Sequence, residues 1–246
     1  GGYDASGDVQ CASDSSAATL DSDGNPIPSP PDKLNQYSNQ GYECPKYDQS
    51  NGIGAGVYMF DANNGQLLWW SSNQAAEKRG AVEANYDENL KYSVVSQINT
   101  LDRDNDGLVD TLYFGDLGGQ AFRIDLDNTA KTTSDFAKRV VRLYNGHLDT
   151  GLSPRFYEMP SFSVHQDKVG LFGVLALTSG NLSSPLAGAE LSAQDGVFVL
   201  YDHDVARSDL YSDRPLLNHR NIARLHLMNT VNGIPRLTEI NRKVAP

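Results

Sequence analysis

Clusters of positive charge, long apolar runs and cysteine are what this sequence has least of. Its 20 Lys and Arg stand against 31 Asp and Glu, a formal net charge of -11. Nowhere do the cations gather, which argues against nucleic acid, because binding to a phosphate backbone draws its affinity from clustered Lys and Arg. The longest apolar stretches, such as FGVLALT at 172–178, fall well short of the roughly 20 residues a bilayer-crossing helix needs. No direct membrane insertion is therefore expected, and the chain reads as soluble. It opens on GGYDASGD, with neither an initiator methionine nor a signal sequence, and so reads as part of a longer protein. The two cysteines, Cys11 and Cys44, flank a polar stretch rich in Pro, Ser and Asp. If paired with each other they close a loop of about 34 residues, a constraint of about 3 to 4 kcal/mol in the chain-entropy model, and imply an oxidising compartment. The alternative is that one or both are free or pair outside this segment.

What is present is β-type texture. Residues 1–50 include NPIPSPPDK at 25–33, which excludes a regular element of any length. They read as a long surface insertion in the domain that follows. From 51 to 246 the pattern turns to short strand-like runs punctuated by Gly and Asp. Three runs resemble one another: GAGVYMFDANNGQLLWW (54–70), LGGQAFRIDLDN (117–128) and QDGVFVLYDHD (194–204). In each a glycine leads into a β-branched or aromatic strand that ends on an aspartate, at Asp61, Asp125 and Asp202. The repeated unit is strand, turn, strand, turn, strand.

Repeated antiparallel meanders have to protect their sheet edges, and radial stacking as propeller blades is one solution. The spacings between the three aspartates exceed the length of one blade, about 40 to 50 residues, so insertions at loop tips are required. The expectation is an all-β fold, part of a β-propeller with long loop insertions; a β-sandwich with irregular loops is the competing architecture. Three units alone do not close a ring of four to eight blades. Helix is expected to be scarce, with weak candidates only at 73–85 and 133–144.

The densest feature is DRDNDGLVD at 102–110. Four carboxylates this close repel one another unless a cation sits among them. Counting Asp102 as position 1, carboxylates fall at 1, 3, 5 and 9 (Asp102, Asp104, Asp106, Asp110), a glycine at 6 (Gly107), and Leu108 at 7 can offer its carbonyl. That is the ligand order of a calcium loop, in which hard oxygen donors on alternating residues converge as the chain curls. Position 12 is Tyr113, where an EF-hand has a bidentate Glu, and the flanks read as strands. The expected device is a calcium clip in a β-hairpin; the competing reading is a solvated acidic turn. Magnesium fits less well, because it keeps a smaller octahedral shell and more of its waters.

The segment KYSVVSQINTLDRDNDGLVDTLYFGDLGGQAFRIDL (91–126) closely resembles the C-terminal propeller domain of the PilY-type proteins, tip-associated biogenesis factors and adhesins of type IV pili. VLALTSGNLSSPL (174–186), QDGVFVLYD (194–202) and VYMFDANNGQLLWW extend the likeness over roughly 55–205. The resemblance implies a modified seven-bladed propeller with calcium held by Asp102, Asp104, Asp106, Asp110 and the Leu108 carbonyl. It also implies placement outside the cell, at the bacterial surface, pilus tip or outer membrane. There, calcium occupancy would regulate pilus extension, retraction and attachment. The implied partners are other pilus proteins such as minor pilins, and host or abiotic surfaces; the chain itself is expected to be a monomer. The Cys11 to Cys44 insertion does not map onto the family.

Catalysis has no positive signal. FDANNGQLLWW (60–70) resembles the aspartate, glycine and tryptophan signature of quinoprotein propellers, some of which oxidise alcohols or sugars with pyrroloquinoline quinone. The pattern is first a packing device, in which Asn-Asn-Gly forms a turn and Trp69 or Trp70 fills a gap between sheets. A quinone-dependent dehydrogenase, or a non-catalytic propeller scaffold, is thus the alternative to the pilus reading. The five histidines lack the paired spacing of a zinc site, and no nucleophile elbow is present. GIGAGV (52–57) leads into a strand pattern and not into the helix a dinucleotide site requires.

Overall fold

The computed structural model describes residues 54–78, 84–148, 153–180, 182, 195–211, 221–231 and 234–244. The insertion 1–50, with Cys11 and Cys44, lies outside the described residues. The described chain has almost no helix, and its strands form three open sheets, none closed on itself.

The first sheet has the order β1-β2-β3, built from the antiparallel hairpin β1 (Val57–Phe60) and β2 (Leu67–Ser72) and from β3 (Ala84–Tyr86), parallel to β2. The second is an antiparallel meander of β4 (Asn99–Leu101), β5 (Thr111–Gly115), β6 (Gln120–Leu126) and β7 (Ala137–Asn145). The third is also antiparallel and runs β8 (Ser161–Gln166), β9 (Leu171–Thr178), β10 (Val197–Asp202), β11 (Asn221–Val231) and β12 (Ile234–Val244).

The three repeated runs fall one to a sheet. Asp61 opens the β1–β2 turn: its carboxylate accepts the Asn63 amide and its carbonyl the Gly65 amide, both locally closed by "NNG" geometry with Gly65 at φ 73°. Asp125 and Asp202 lie at the ends of β6 and β10.

Packing follows from the period of two. Strands β5 and β6 are buried along their whole length, which requires cover on both faces of the second sheet. Leu112, Phe114, Phe122, Ile124 and Leu126 join Val57 and Trp69 in a cluster against the first sheet. Their alternates Tyr113 and Ala121 join Val141, Leu175, Leu177, Phe198 and Leu200 against the third. The second sheet is thus the middle layer of a stack. Trp69, 1 % exposed, fills the first interface, while its neighbour Trp70 stacks on Tyr58 on the opposite face of the hairpin.

Both helix candidates shrink to short pieces of one or two turns. Residues 73–85 give a 3-10 helix (Asn73–Lys78) and then β3. In 133–144 only α1 (Thr133–Phe136) is helical. Beyond it Ala137, Val141 and Leu143 are buried between more exposed neighbours and the chain runs as β7, because β-branched Val140 and Val141 suit a pleated, packed strand.

Candidate metal centre and its supports

The aspartate loop joins β4 to β5, at one end of the middle sheet. Its shape is set by its own amides. The Asp102 carboxylate accepts the amides of Asn105 (2.6 Å) and Gly107 (2.9 Å), Asp104 that of Asp106 (3.2 Å), and Asp106 that of Leu108 (2.8 Å). These interlocked Asx turns require left-handed backbone at two residues. Asn105 at φ 64° tolerates it, and Gly107 at φ 91° meets no side-chain penalty.

The curl brings carboxylate oxygens of Asp102, Asp104 and Asp106 within 4.8 Å of one another. Oxygens bound to one calcium at 2.3–2.6 Å are separated by at most roughly 5 Å, so the spacing is compatible with a shared shell. Asp104 and Asp106 are exposed and Asp102 half-buried, which leaves the group open to solvent.

The Asp110 carboxylate lies outside this trio. Asp110 is buried at 6 % exposure; one carboxylate oxygen accepts the Arg103 amide (2.7 Å) and the other the Asn128 side chain (3.1 Å). It ties the two ends of the loop together and to the β6–α1 connection. Leu108 is half exposed, and its amide faces Asp106.

Sequence reasoning overlooked Arg103, the one cation inside the loop. Its guanidinium is directed away from the carboxylates: Nη1 donates to the Arg207 carbonyl (2.7 Å), and the group lies 5.0 Å over the Tyr211 ring. Tyr211 in turn points its hydroxyl at the Asp110 carbonyl (3.4 Å), and burial, with Asp110 beside it, pushes its pKa up to about 12. The loop therefore leans on residues 203–211, which follow β10 in the third sheet. Arg207 is itself clamped by Asp204 and Asp209. The only hint of this in sequence was an Arg inside an acidic run.

A second polar constellation lies between the middle and third sheets. Arg123 is completely buried; its Nε donates to Asp125 (2.8 Å) and its Nη1 to Asp202 (2.6 Å), and the Tyr113 hydroxyl donates to Asp202 (3.1 Å). Burial acts to lower the Arg123 pKa, but Asp202 and Asp125 outweigh it and hold the guanidinium protonated. Burial, reinforced by Asp202, raises the Tyr113 phenol well above its ordinary value. Paired in this way, the groups are suited to joining two sheets.

Neither a protein-family model, nor a curated protein, nor a solved structure matches this chain. The site is therefore interpreted on its own geometry. Among the described residues no helix is long and apolar enough to cross a membrane.

Proposed function

We propose that residues 102–110 bind calcium, and that the loop belongs to a propeller domain of the PilY kind, displayed outside the cell on a type IV pilus. The observation that carries the metal reading is the convergence of Asp102, Asp104 and Asp106 on one point, with oxygens within 4.8 Å and their orientations fixed by the loop's own amides. Oxygen-only donors suit a hard divalent cation. Asp110 and the Leu108 carbonyl are the further proposed donors. The pilus assignment is supported by the resemblance over 91–126 and by three stacked sheets that each carry one repeat.

When bound, the ion supplies positive charge that offsets carboxylate repulsion. The chain's own residues transmit the effect. Arg103 and Asp110 connect the loop to Tyr211 and Arg207 beyond β10, so a change in loop order reaches two sheets. A minor pilin or a surface that recognises only the ordered form would then respond to calcium by population shift, and through it pilus extension, retraction and attachment.

Titration calorimetry of the whole chain tests the reading. Calcium should bind at one site, and Asp102→Asn, which keeps the side chain's shape but removes a charge, should weaken binding at least tenfold. Equal heats for the two proteins would refute the assignment.

A further inference from the structure

Beside the aspartate loop lies a pocket of about 340 Å³ between the first and middle sheets. Val57, Met59, Trp69, Ile98, Leu112 and Phe136 are among its wall residues, and Leu108 and Val109 of the loop contribute to it. Such a lining, open at one side, is favourable for an apolar group and offers little to a polar one. Its volume is at the low end of small-molecule sites, which span roughly 300–1,000 Å³, and corresponds to one bulky side chain and its immediate neighbours.

Two sheet edges border it. Residues of β1 and β4 line the pocket, and among the described residues β1 pairs only with β2 and β4 only with β5. The Asp110 amide donates to the Leu101 carbonyl (2.9 Å), so the main chain of Leu101 faces β5. By antiparallel alternation the N–H and C=O of Thr100 face the other way, off the sheet. Thr100 is exposed and lines the pocket. An edge with unpaired main-chain groups is a template for another strand. The neighbouring sequence is mainly acidic: Asp61, Asp102, Asp106, Asp110, Asp125, Asp127 and Asp135 are each within two residues of a lining residue, against Lys138 as the one cation so placed.

We propose that the β4 edge and this pocket form a strand-acceptor site, which takes an extended segment of a partner protein bearing a bulky apolar side chain close to lysine or arginine. Main-chain pairing along Thr100 supplies affinity, the pocket selects the apolar residue, and the surrounding carboxylates favour basic neighbours. The site uses the loop's Leu108 side chain and requires no metal.

The probe is the synthetic peptide Lys-Thr-Val-Thr-Phe-Thr-Val-Thr-Lys, titrated into the whole chain by calorimetry, with a second peptide carrying Ser for Phe. Saturable binding that falls at least tenfold for the Ser peptide is expected; equal affinities would overturn the pocket's role. Thr100→Pro, which removes an outward N–H at an edge where proline is tolerated, should cost at least fivefold. Leu108→Asp should do the same by making the pocket wall polar. Unchanged binding in both variants, each checked for native circular dichroism, would overturn the site. Titrations in calcium and in chelator separate the two proposals: peptide binding in chelator stands whatever the loop holds. Finally, a photoreactive benzophenone side chain at position 108 should label the peptide. Labelling of the same chain or of a second copy, undiminished by peptide, would overturn a partner protein as the occupant.

Discussion

Arg123 shows how a single residue can join two layers. On β6 it alternates with Phe122 and Ile124, which face the first sheet, so it projects toward the third. A buried guanidinium is tolerable only when paired and hydrogen-bonded, and two carboxylates and a 0 % exposed environment meet that condition. Arg123→Met should cost about 3–5 kcal/mol, because Asp125 and Asp202 would be left buried with Arg139, 3.5 Å from Asp125, as partial relief. Urea denaturation of the two proteins measures it; a loss below about 1 kcal/mol would mean the pair behaves like a solvated surface bridge. Half of this constellation was legible. Arg123 and Asp125, two apart on a strand, must share a face, and Asp125 and Asp202 already stood out as equivalent ends of repeated runs. That the two equivalents meet at one arginine was not legible, because the pairing depends on the stacking of two sheets and not on any local period.

At the level of elements, the tight β5–β6 turn carries a buried acid. Asp116 accepts both the amide and the side-chain Nε2 of Gln120, at 2.8 and 2.9 Å. The turn is packed so closely that a side chain at Gly118 would collide with the Tyr92 ring. Burial is the largest influence on Asp116 and, against the bonds from Gln120, raises its pKa from 3.8 to about 7. The folded chain thus holds this proton to higher pH than the unfolded chain does. Its contribution is most favourable below pH 4 and is lost as pH rises through about 7. The decline amounts to roughly 4 kcal/mol for a shift of about three units. Urea midpoints at pH 4, 5.5, 7 and 8 should fall in the native chain and fall less in Asp116→Asn; parallel curves would show that Asp116 is not the source. Strand content and the hairpin around the aspartate loop were readable from alternation and from Asn and Gly at turn positions. The weak helix candidate at 133–144 gave way beyond Phe136, because burial of β7 in the middle sheet favours period two.

Across the whole molecule, the aspartate loop is fastened at three places. Its ends meet at Asp110, Asn128 holds it to the region after β6, and Arg103 holds it to residues 203–211. An ion that binds only the native arrangement should therefore stabilise the stack as a unit. At calcium a hundred times the dissociation constant the gain is about 2.7 kcal/mol. For a chain of this size that corresponds to a rise in thermal midpoint of about 5–10 °C. Thermal scans in millimolar calcium and in excess chelator check it, and superimposed curves would leave the loop a plain acidic turn. Sequence by itself determined the β class, the turn chemistry and the spacing of carboxylates along 102–110, because these depend on side-chain period and on which residues accept left-handed backbone. Only the tertiary structure decided which carboxylates converge, where Arg103 directs its charge and which sheet faces are covered. Those outcomes rest on contacts between residues as far apart as Arg103 and Arg207, or Arg123 and Asp202, and distance along a chain carries no record of which strands will come to lie together.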